Sequence, residues 1–220
     1  MRRRNPRGQG QILKEQLVGA AAKLLATLDQ PETLTLRQVA REVGVAPASI
    51  YSHFDDLSAL IQHVLRLRYD ELARLMNGAA AAAPDPLSEL VARCAVYVRW
   101  GNEQPGHYRT LFGGRMPADL VPGTAHEAGA DLLGSLVTVL GAVTGPGAGA
   151  GPDRAPSTQE QQWRDGLLLW TALHGLVSLY NDHGSIDWPP LDELLADLIG
   201  LHTHRPATEI AAVLARRAPR

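Results

Sequence analysis

The chain has 220 residues, of which 45% are hydrophobic and 20% charged, and its formal net charge is −2. This length and apolar content predict a folded core and exclude a fully disordered chain. No uncharged apolar run reaches about 18 residues, and no apolar segment follows the basic N-terminus, so neither a membrane span nor a secretory signal is expected. The single cysteine, Cys94, favours a reducing cytoplasm and is expected to be buried.

Charge is distributed unevenly along the chain. Residues 1–50 carry eight Lys or Arg and four acidic residues, a net charge of +4, whereas the other 170 residues carry thirteen and nineteen, a net charge of −6. An arginine cluster that includes Arg3 and Arg4 lies at the start and is interpreted either as an arm that enters a DNA minor groove or as a solvated terminus. The asymmetry indicates that a polyanion would contact the N-terminal part of the chain.

The first predicted helix, residues 12–28, has one apolar face and precedes two short helices within residues 35–54. Thr35 and Gln38 have the spacing of a capping box, and Gly44 is expected to end the first short helix in a left-handed conformation. The second short helix is predicted to open with a proline. Its outward residues are small, hydroxylated or aromatic, and none is acidic: Pro47, Ala48, Ser49, Tyr51, Ser52 and His53. This pattern indicates a helix-turn-helix whose second helix contacts DNA.

A long helix is predicted from Asp55, a candidate N-cap, to the Asn77-Gly78 pair, where it is expected to end. Three further helices are predicted at residues 87–103, 107–112 and 126–143. Residues 145–156 are rich in glycine and proline. They are interpreted as a disordered connector rather than a nucleotide-binding loop, because no Gly-Lys-Ser/Thr follows them.

The eighth and ninth predicted helices, residues 157–180 and 190–199, suggest a dimer interface. The eighth carries two apolar stripes, so one side is expected to pack in its own core and the other against a second copy. Gly166 and Gly175 lie within it and are expected to allow close approach of another backbone. No strand pattern is recognisable in the sequence, so the predicted fold class is all-α.

Residues 12–76 resemble the N-terminal part of the tetracycline-repressor (TetR) family of transcriptional regulators. The resemblance rests on an apolar helix, Leu-Thr-Leu-Arg-Gln-Val-Ala (34–40), Val-Gly-Val-Ala (43–46), Ser-Ile-Tyr-Ser-His-Phe (49–54) and a long helix. The run from Trp170 through His174 to Gly175 resembles the Trp-His-Gly type of C-terminal domain in that family.

The resemblance implies an N-terminal arm and helix-turn-helix DNA-binding domain at residues 1–56 and a helical-bundle domain for ligand binding and dimerisation at residues 57–220. It implies a cytoplasmic homodimer, formed through the eighth and ninth predicted helices, that binds an approximately palindromic double-stranded DNA operator. Repression released by a small-molecule effector of unknown identity is the implied activity. The implied DNA contacts, with the two arm arginines, are Thr35, Arg37, Pro47, Ala48, Ser49, Tyr51, His53, Arg3 and Arg4.

At one position that contacts DNA in many family members, this chain has a different type of residue. Asp55 and Asp56 lie where many family members carry a lysine that contacts the DNA backbone, so that contact is not expected here. Effector contacts are expected from aromatic and polar residues of the fifth to eighth predicted helices, with ordinary core positions as the alternative, and they favour an apolar, aromatic ligand. These candidates are Tyr97, Trp100, His107, Tyr108, Phe112, Met116, Trp170 and His174.

Other classes of function have weaker support in the sequence. No enzyme is predicted, because no catalytic triad, carboxylate pair or cofactor loop is recognisable, and no cofactor is expected. His202 and His204 would point apart on a helix, so with His183 they are interpreted as surface histidines rather than metal ligands. The alternative to a DNA-binding regulator is a helical interaction module, or a small-molecule-binding protein, without a DNA role.

Overall fold

A computed structural model describes residues 9–28, 30–113, 123–145 and 158–216. These residues form α-helices and two 3₁₀ helices and contain no strand, which confirms the all-α prediction. The elements are α1 Gln9–Thr27, η1 Pro31–Thr33, α2 Leu36–Val43, η2 Pro47–Ser52, α3 Leu57–Ala81, α4 Pro86–Glu103, α5 Pro105–Phe112, α6 Gly123–Thr144, α7 Gln159–Asp182, α8 Leu191–Thr203 and α9 Ala207–Ala215. In the part of the chain described, no helix is long and apolar enough to cross a membrane.

The chain divides into two compact units. Unit 1 comprises Met1–Asp70 and Gln104–Ala128, and unit 2 comprises Glu71–Glu103 and Gly129–Arg220. The division falls within α3, between Asp70 and Glu71, and α5, which packs on α1, belongs to unit 1. The domain boundary after residue 56 stays a prediction about which segment binds DNA.

Unit 1 is built around α1, whose Leu17, Ala21 and Leu25 are buried. Its contact with α5 depends on Gly106, where an added Cβ would lie 2.8 Å from Cβ of Ala26 and closer still to the carbonyl oxygen of Ala26. Only a glycine therefore allows α5 to pack at this distance. No local sequence pattern indicates this close approach.

Unit 2 has α4 at its centre, packed against α7, α8 and α9. Cys94 of α4 is fully buried, as predicted, and burial raises the pKa of its thiol to about 12. On α7, Gly166 is also buried, and an added Cβ there would lie 3.0 Å from Cα of Val137, so the predicted close approach is confirmed. At Gly175 an added Cβ would meet nothing within 4 Å in the same chain, so close approach of a second copy there stays a prediction.

The ends of α3 differ from the sequence prediction. The side chain of Asp56, not that of Asp55, accepts a hydrogen bond from the backbone N–H of Ala59 at 2.7 Å and caps the helix. The helix continues beyond Asn77-Gly78 to Ala81, since alanines with high helix propensity follow Gly78.

Candidate functional site

The first helix of the predicted DNA-binding motif is α2, which begins with the predicted capping box. The backbone N–H of Gln38 donates to the Thr35 hydroxyl at 3.3 Å, and the backbone N–H of Thr35 donates to Oε1 of Gln38 at 2.7 Å. At the other end Gly44 has φ +78° and ψ +29°, and the N–H of Val45 donates to the carbonyl of Ala40 at 2.9 Å. Both ends of α2 are therefore fixed as the sequence predicts.

The second helix of the motif is the 3₁₀ helix η2, whereas the sequence suggested an ordinary helix. Its bonds join residues three apart, such as the N–H of Ser49 to the carbonyl of Ala46 at 2.8 Å. Ile50 is fully buried and Phe54, just after the helix, is 2% exposed. These two side chains anchor η2 to unit 1 and leave its other side open to solvent.

The predicted DNA-contact residues mostly lie on the surface of unit 1. Tyr51 is 61% exposed, which is unusual for a large aromatic side chain and suits a surface that meets a partner. Ser49 and His53 are half-buried. The other described candidates are exposed: Thr35, Arg37, Pro47 and Ala48. Arg3 and Arg4 lie outside the described residues.

Charged groups near this surface have different partners. The ammonium of Lys23 lies 2.7 Å from Oε1 of Glu42; this hydrogen bond and charge attraction raise the pKa of Lys23 and lower that of Glu42. Nζ of Lys14 instead lies 5.5 Å from the ring centroid of Phe54. The sequence motifs did not single out Lys14, because its neighbour Phe54 is distant along the chain.

Three of the predicted effector contacts come together in unit 2. The hydroxyl of Tyr97 lies 2.8 Å from Nδ1 of His174, and the ring of Trp170 meets the same imidazole edge-on at a centroid distance of 4.4 Å. Burial lowers the pKa of His174 to about 4, so the ring is neutral at pH 7. The cluster thus offers aromatic faces and uncharged polar groups.

A fourth predicted contact, Trp100, lies three residues after Tyr97 on α4 and is only 3% exposed. Its indole Nε1 is buried and forms no hydrogen bond with the described residues. A buried donor without an acceptor costs about 1–3 kcal/mol. A ligand that supplies an acceptor would remove this cost.

The remaining predicted effector contacts belong to unit 1 or lie outside the described residues. Tyr108 is buried, and its ring lies 5.2 Å from that of Phe112. Nδ1 of His107 lies 2.8 Å from Oε1 of Gln104. Met116 is outside the described residues. It therefore stays a prediction that the eight candidate effector contacts line one pocket.

Unit 2 also has two open clefts beside α4 and α9, with volumes of about 620 and 590 Å³. Asp85, Ser88 and Arg216 line both, and none of the eight predicted effector contacts lines either. The two clefts are therefore distinct from the effector site that the sequence predicts. No group of His, Cys, Asp and Glu side chains suited to a metal ion occurs in the residues described.

One further surface of unit 2 is unusually apolar. Along α7, four large hydrophobic side chains are at least 39% exposed: Trp163, Leu167, Leu168 and Leu179. Leu201 of α8 is 77% exposed. Where such side chains form a contiguous patch, the patch commonly marks an interaction surface.

Comparison with protein families identifies both parts of the chain. A model described as bacterial regulatory proteins of the tetR family matches residues 17–64. A second model, the Tetracyclin repressor-like C-terminal domain, matches residues 90–201, which is half of the chain. The chain belongs to the TetR family. It is a DNA-binding transcriptional regulator with a helix-turn-helix, from a family whose members bind DNA and small-molecule ligands and form dimers.

The similarity to individual proteins extends over most of the chain. An uncharacterized HTH-type transcriptional regulator of Mycobacterium tuberculosis is 26% identical over 193 residues, which cover 86% of this chain and 78% of that protein. A protein of unknown function from Rhodococcus has the same fold, with a TM-score of 0.73, 24% identity and coverage of 91% and 98%. The regulator RolR, solved with resorcinol, has a TM-score of 0.61 at 14% identity, with coverage of 96% and 97%.

Proposed function

We propose that this TetR-family regulator is a homodimeric repressor that binds an approximately palindromic operator through α2 and η2 and is released by a small-molecule effector. The observation that carries the DNA assignment is the outer surface of η2. It is free of acidic residues, and Tyr51 projects from it while Ile50 and Phe54 anchor it from below. Such a surface suits phosphate and base contacts.

The arm and η2 have different roles in this proposal. Tyr51 and His53 contact phosphates, and Ala48 and Ser49 face base edges in the major groove. Thr35, Arg37 and Pro47 position the motif on the backbone, and Arg3 and Arg4 supply charge from the arm.

Dimerisation is assigned to α7 and α8, the eighth and ninth helices of the sequence prediction. Support comes from the exposed apolar side chains of these two helices, among them Leu168 at 54% and Leu201 at 77%. A two-fold dimer presents two identical helix-turn-helix motifs and so favours an operator with two related half-sites.

The effector is assigned to the predicted pocket, with Tyr97, Trp100, Trp170 and His174 as its contacts in unit 2. The neutral His174, the aromatic rings and the unpaired Nε1 of Trp100 favour an uncharged aromatic molecule that carries a hydrogen-bond acceptor. RolR, which has the same fold, is solved with the aromatic diol resorcinol. An effector releases DNA only if it binds the DNA-free conformation more tightly than the DNA-bound one.

Duplexes that the protein selects from a random-sequence library test the DNA assignment. We expect fluorescence anisotropy to show specific binding that Tyr51→Ala and Arg37→Glu each abolish. Sedimentation should show that both variants remain dimers, since both side chains are exposed on unit 1. If no duplex is enriched, or if both variants bind normally, the chain acts as a helical module without this DNA contact.

The effector assignment is tested on the same selected duplex. Phenolic compounds, beginning with resorcinol, are added to the complex while anisotropy reports release of the DNA. We expect an active compound to change the fluorescence of Trp100 or Trp170. Release that persists unchanged in Trp100→Phe and His174→Phe would contradict the assigned contacts.

A further inference from the structure

Lys14 lies beside the surface that the proposed function assigns to DNA. Gly10, one turn earlier on α1, is close to the end of η2: a Cβ added there would lie 3.7 Å from Cε1 of His53. Because residues four apart share a helix face, Lys14 lies on the same side of α1 as Gly10. Its Nζ is 5.5 Å from the ring centroid of Phe54, the residue after His53. The ammonium therefore lies next to the end of η2.

The position of the Lys14 side chain is restrained. The ring of Phe54 is 2% exposed and is held edge-on by the imidazole of His63 at 5.1 Å. A cation over a fixed aromatic ring is attracted to its face while the ammonium keeps its donors for other acceptors. Lys14 is half-buried, so part of the side chain remains open to solvent.

The two lysines of the chain differ in availability. Both lie on α1, but Lys23 is committed to Glu42 at 2.7 Å, whereas Lys14 has no carboxylate within ion-pair distance among the described residues. The acidic residue Asp56 also has a partner, because its side chain accepts a hydrogen bond from the backbone N–H of Ala59 at the start of α3. Its negative charge is partly offset there by the helix dipole.

We propose that Lys14 contacts a DNA phosphate. Lys14 supplies from α1 a positive charge that is missing at the start of α3, where this chain has Asp55 and Asp56 instead of a lysine. This inference rests on the proposed DNA contact through η2. A lysine at this position contacts the backbone rather than base edges, so it adds affinity without sequence preference.

Lysine footprinting tests the contact in the unaltered protein. The chain has only two lysines, so acetylation by an N-hydroxysuccinimide ester, followed by peptide mass spectrometry, reports each separately. We expect a selected duplex to slow acetylation of Lys14 and to leave that of Lys23 unchanged. Equal labelling of Lys14 in the free protein and the complex would overturn the proposal.

Variants give the energetic test with a matched control. Lys14→Gln should weaken binding to selected and unselected duplexes alike by about 100-fold, since each of the two chains of the dimer loses a hydrogen bond to a charged group. The slope of log affinity against log salt should fall by about 2 for a dimer with two such contacts. Lys14→Arg should retain binding, and Lys23→Gln, which makes the same change of charge on the same helix, should leave affinity and slope unaltered.

The outcomes separate this proposal from the proposed function. If Tyr51→Ala abolishes binding while Lys14→Gln binds like the unaltered protein, the Lys14 contact is wrong and the η2 assignment stands. If Tyr51→Ala binds normally, the η2 assignment itself fails. If Lys14→Gln loses affinity although Lys14 is fully labelled in the unaltered complex, the loss reflects weakened packing on Phe54, and the phosphate contact is overturned.

Discussion

The helix-turn-helix and α7 expose opposite kinds of surface. Between Thr35 and His53 the one large hydrophobic side chain that is exposed belongs to Tyr51, which carries a hydroxyl. Along α7 the exposed large hydrophobic groups are an indole and three leucines, next to polar residues such as Arg164 and Thr171 that are also exposed. Surfaces that bind DNA are polar and hydrated, whereas the centre of a stable protein interface is apolar and depleted of charge. The contrast supports the proposal that the first surface contacts DNA and the second contacts another copy of the chain.

The largest expected effect comes from a charge placed on α7. Leu168→Arg would bury an unpaired cation in the proposed dimer interface, and we expect dimerisation to weaken by at least about 100-fold, or about 3 kcal/mol. Sedimentation equilibrium measures this change. Leu75→Arg on α3 alters a side chain that is 46% exposed and should leave the dimer intact. A Leu168→Arg protein with an unchanged dimerisation constant would remove α7 from the interface.

The next effect concerns two glycines of the same helix. In Gly166→Ala the added methyl meets Val137, including its Cα at 3.0 Å, so we expect the free energy of unfolding to fall by about 1–3 kcal/mol. Gly175→Ala has no atom within 4 Å of the added methyl and should gain about 0.5–1 kcal/mol from helix propensity. Urea denaturation measures both changes. Equal changes of the same sign would contradict the packing of α7 against α6.

The buried histidine of unit 2 predicts a pH dependence. The folded-state pKa of His174 is about 4 and its ordinary value is 6.5, so below pH 6.5 the unfolded chain binds a proton that the folded chain does not. The contribution of His174 to the free energy of unfolding should therefore be fully present above pH 6.5. It should fall as pH drops toward 4, by up to about 1.4 kcal/mol per pH unit. Denaturation curves across this window should show the loss, and His174→Phe should reduce it to the part that the lowered pKa of the partly buried His202 contributes. The same slope in His174→Phe would assign it to other groups.

The smallest effect tests the turn of the helix-turn-helix. Gly44→Ala places a Cβ at φ +78° and should destabilise α2 locally by about 1–2 kcal/mol. Amide hydrogen exchange of residues 36–43 measures this local change, since such a loss need not alter global unfolding. Gly19→Ala on α1, where an added Cβ meets nothing within 4 Å, is the control and should not speed exchange. Unchanged exchange in Gly44→Ala would contradict the left-handed turn.

Features encoded by neighbouring residues were predictable from the sequence. The capping box at Thr35, the left-handed Gly44 and the acid-free outer face of η2 each depend on a few adjacent positions. The contact of Gly106 with Ala26 instead depends on packing between segments that are distant along the chain. Lys14 was missed for the same reason, because its ammonium meets a ring from another part of the chain.

The candidate effector site was less predictable than the DNA-binding surface. Aromatic and polar residues on apolar helices usually pack in the protein core. The sequence therefore could not distinguish core residues from effector contacts among the candidates. The contact of Tyr97 with His174 and the unpaired Nε1 of Trp100 emerge from the packing of unit 2, which no spacing rule encodes.

The central claim is that two copies of the chain use η2 to bind related half-sites. Hydroxyl-radical footprinting of a selected duplex, with native mass spectrometry of the same complex, tests it most directly. We expect two chains per duplex and two protected segments about one helical turn, or a small multiple of it, apart. Tyr51→Ala should erase both segments while the protein remains a dimer. One chain per duplex, or a footprint that Tyr51→Ala leaves unchanged, would contradict the claim.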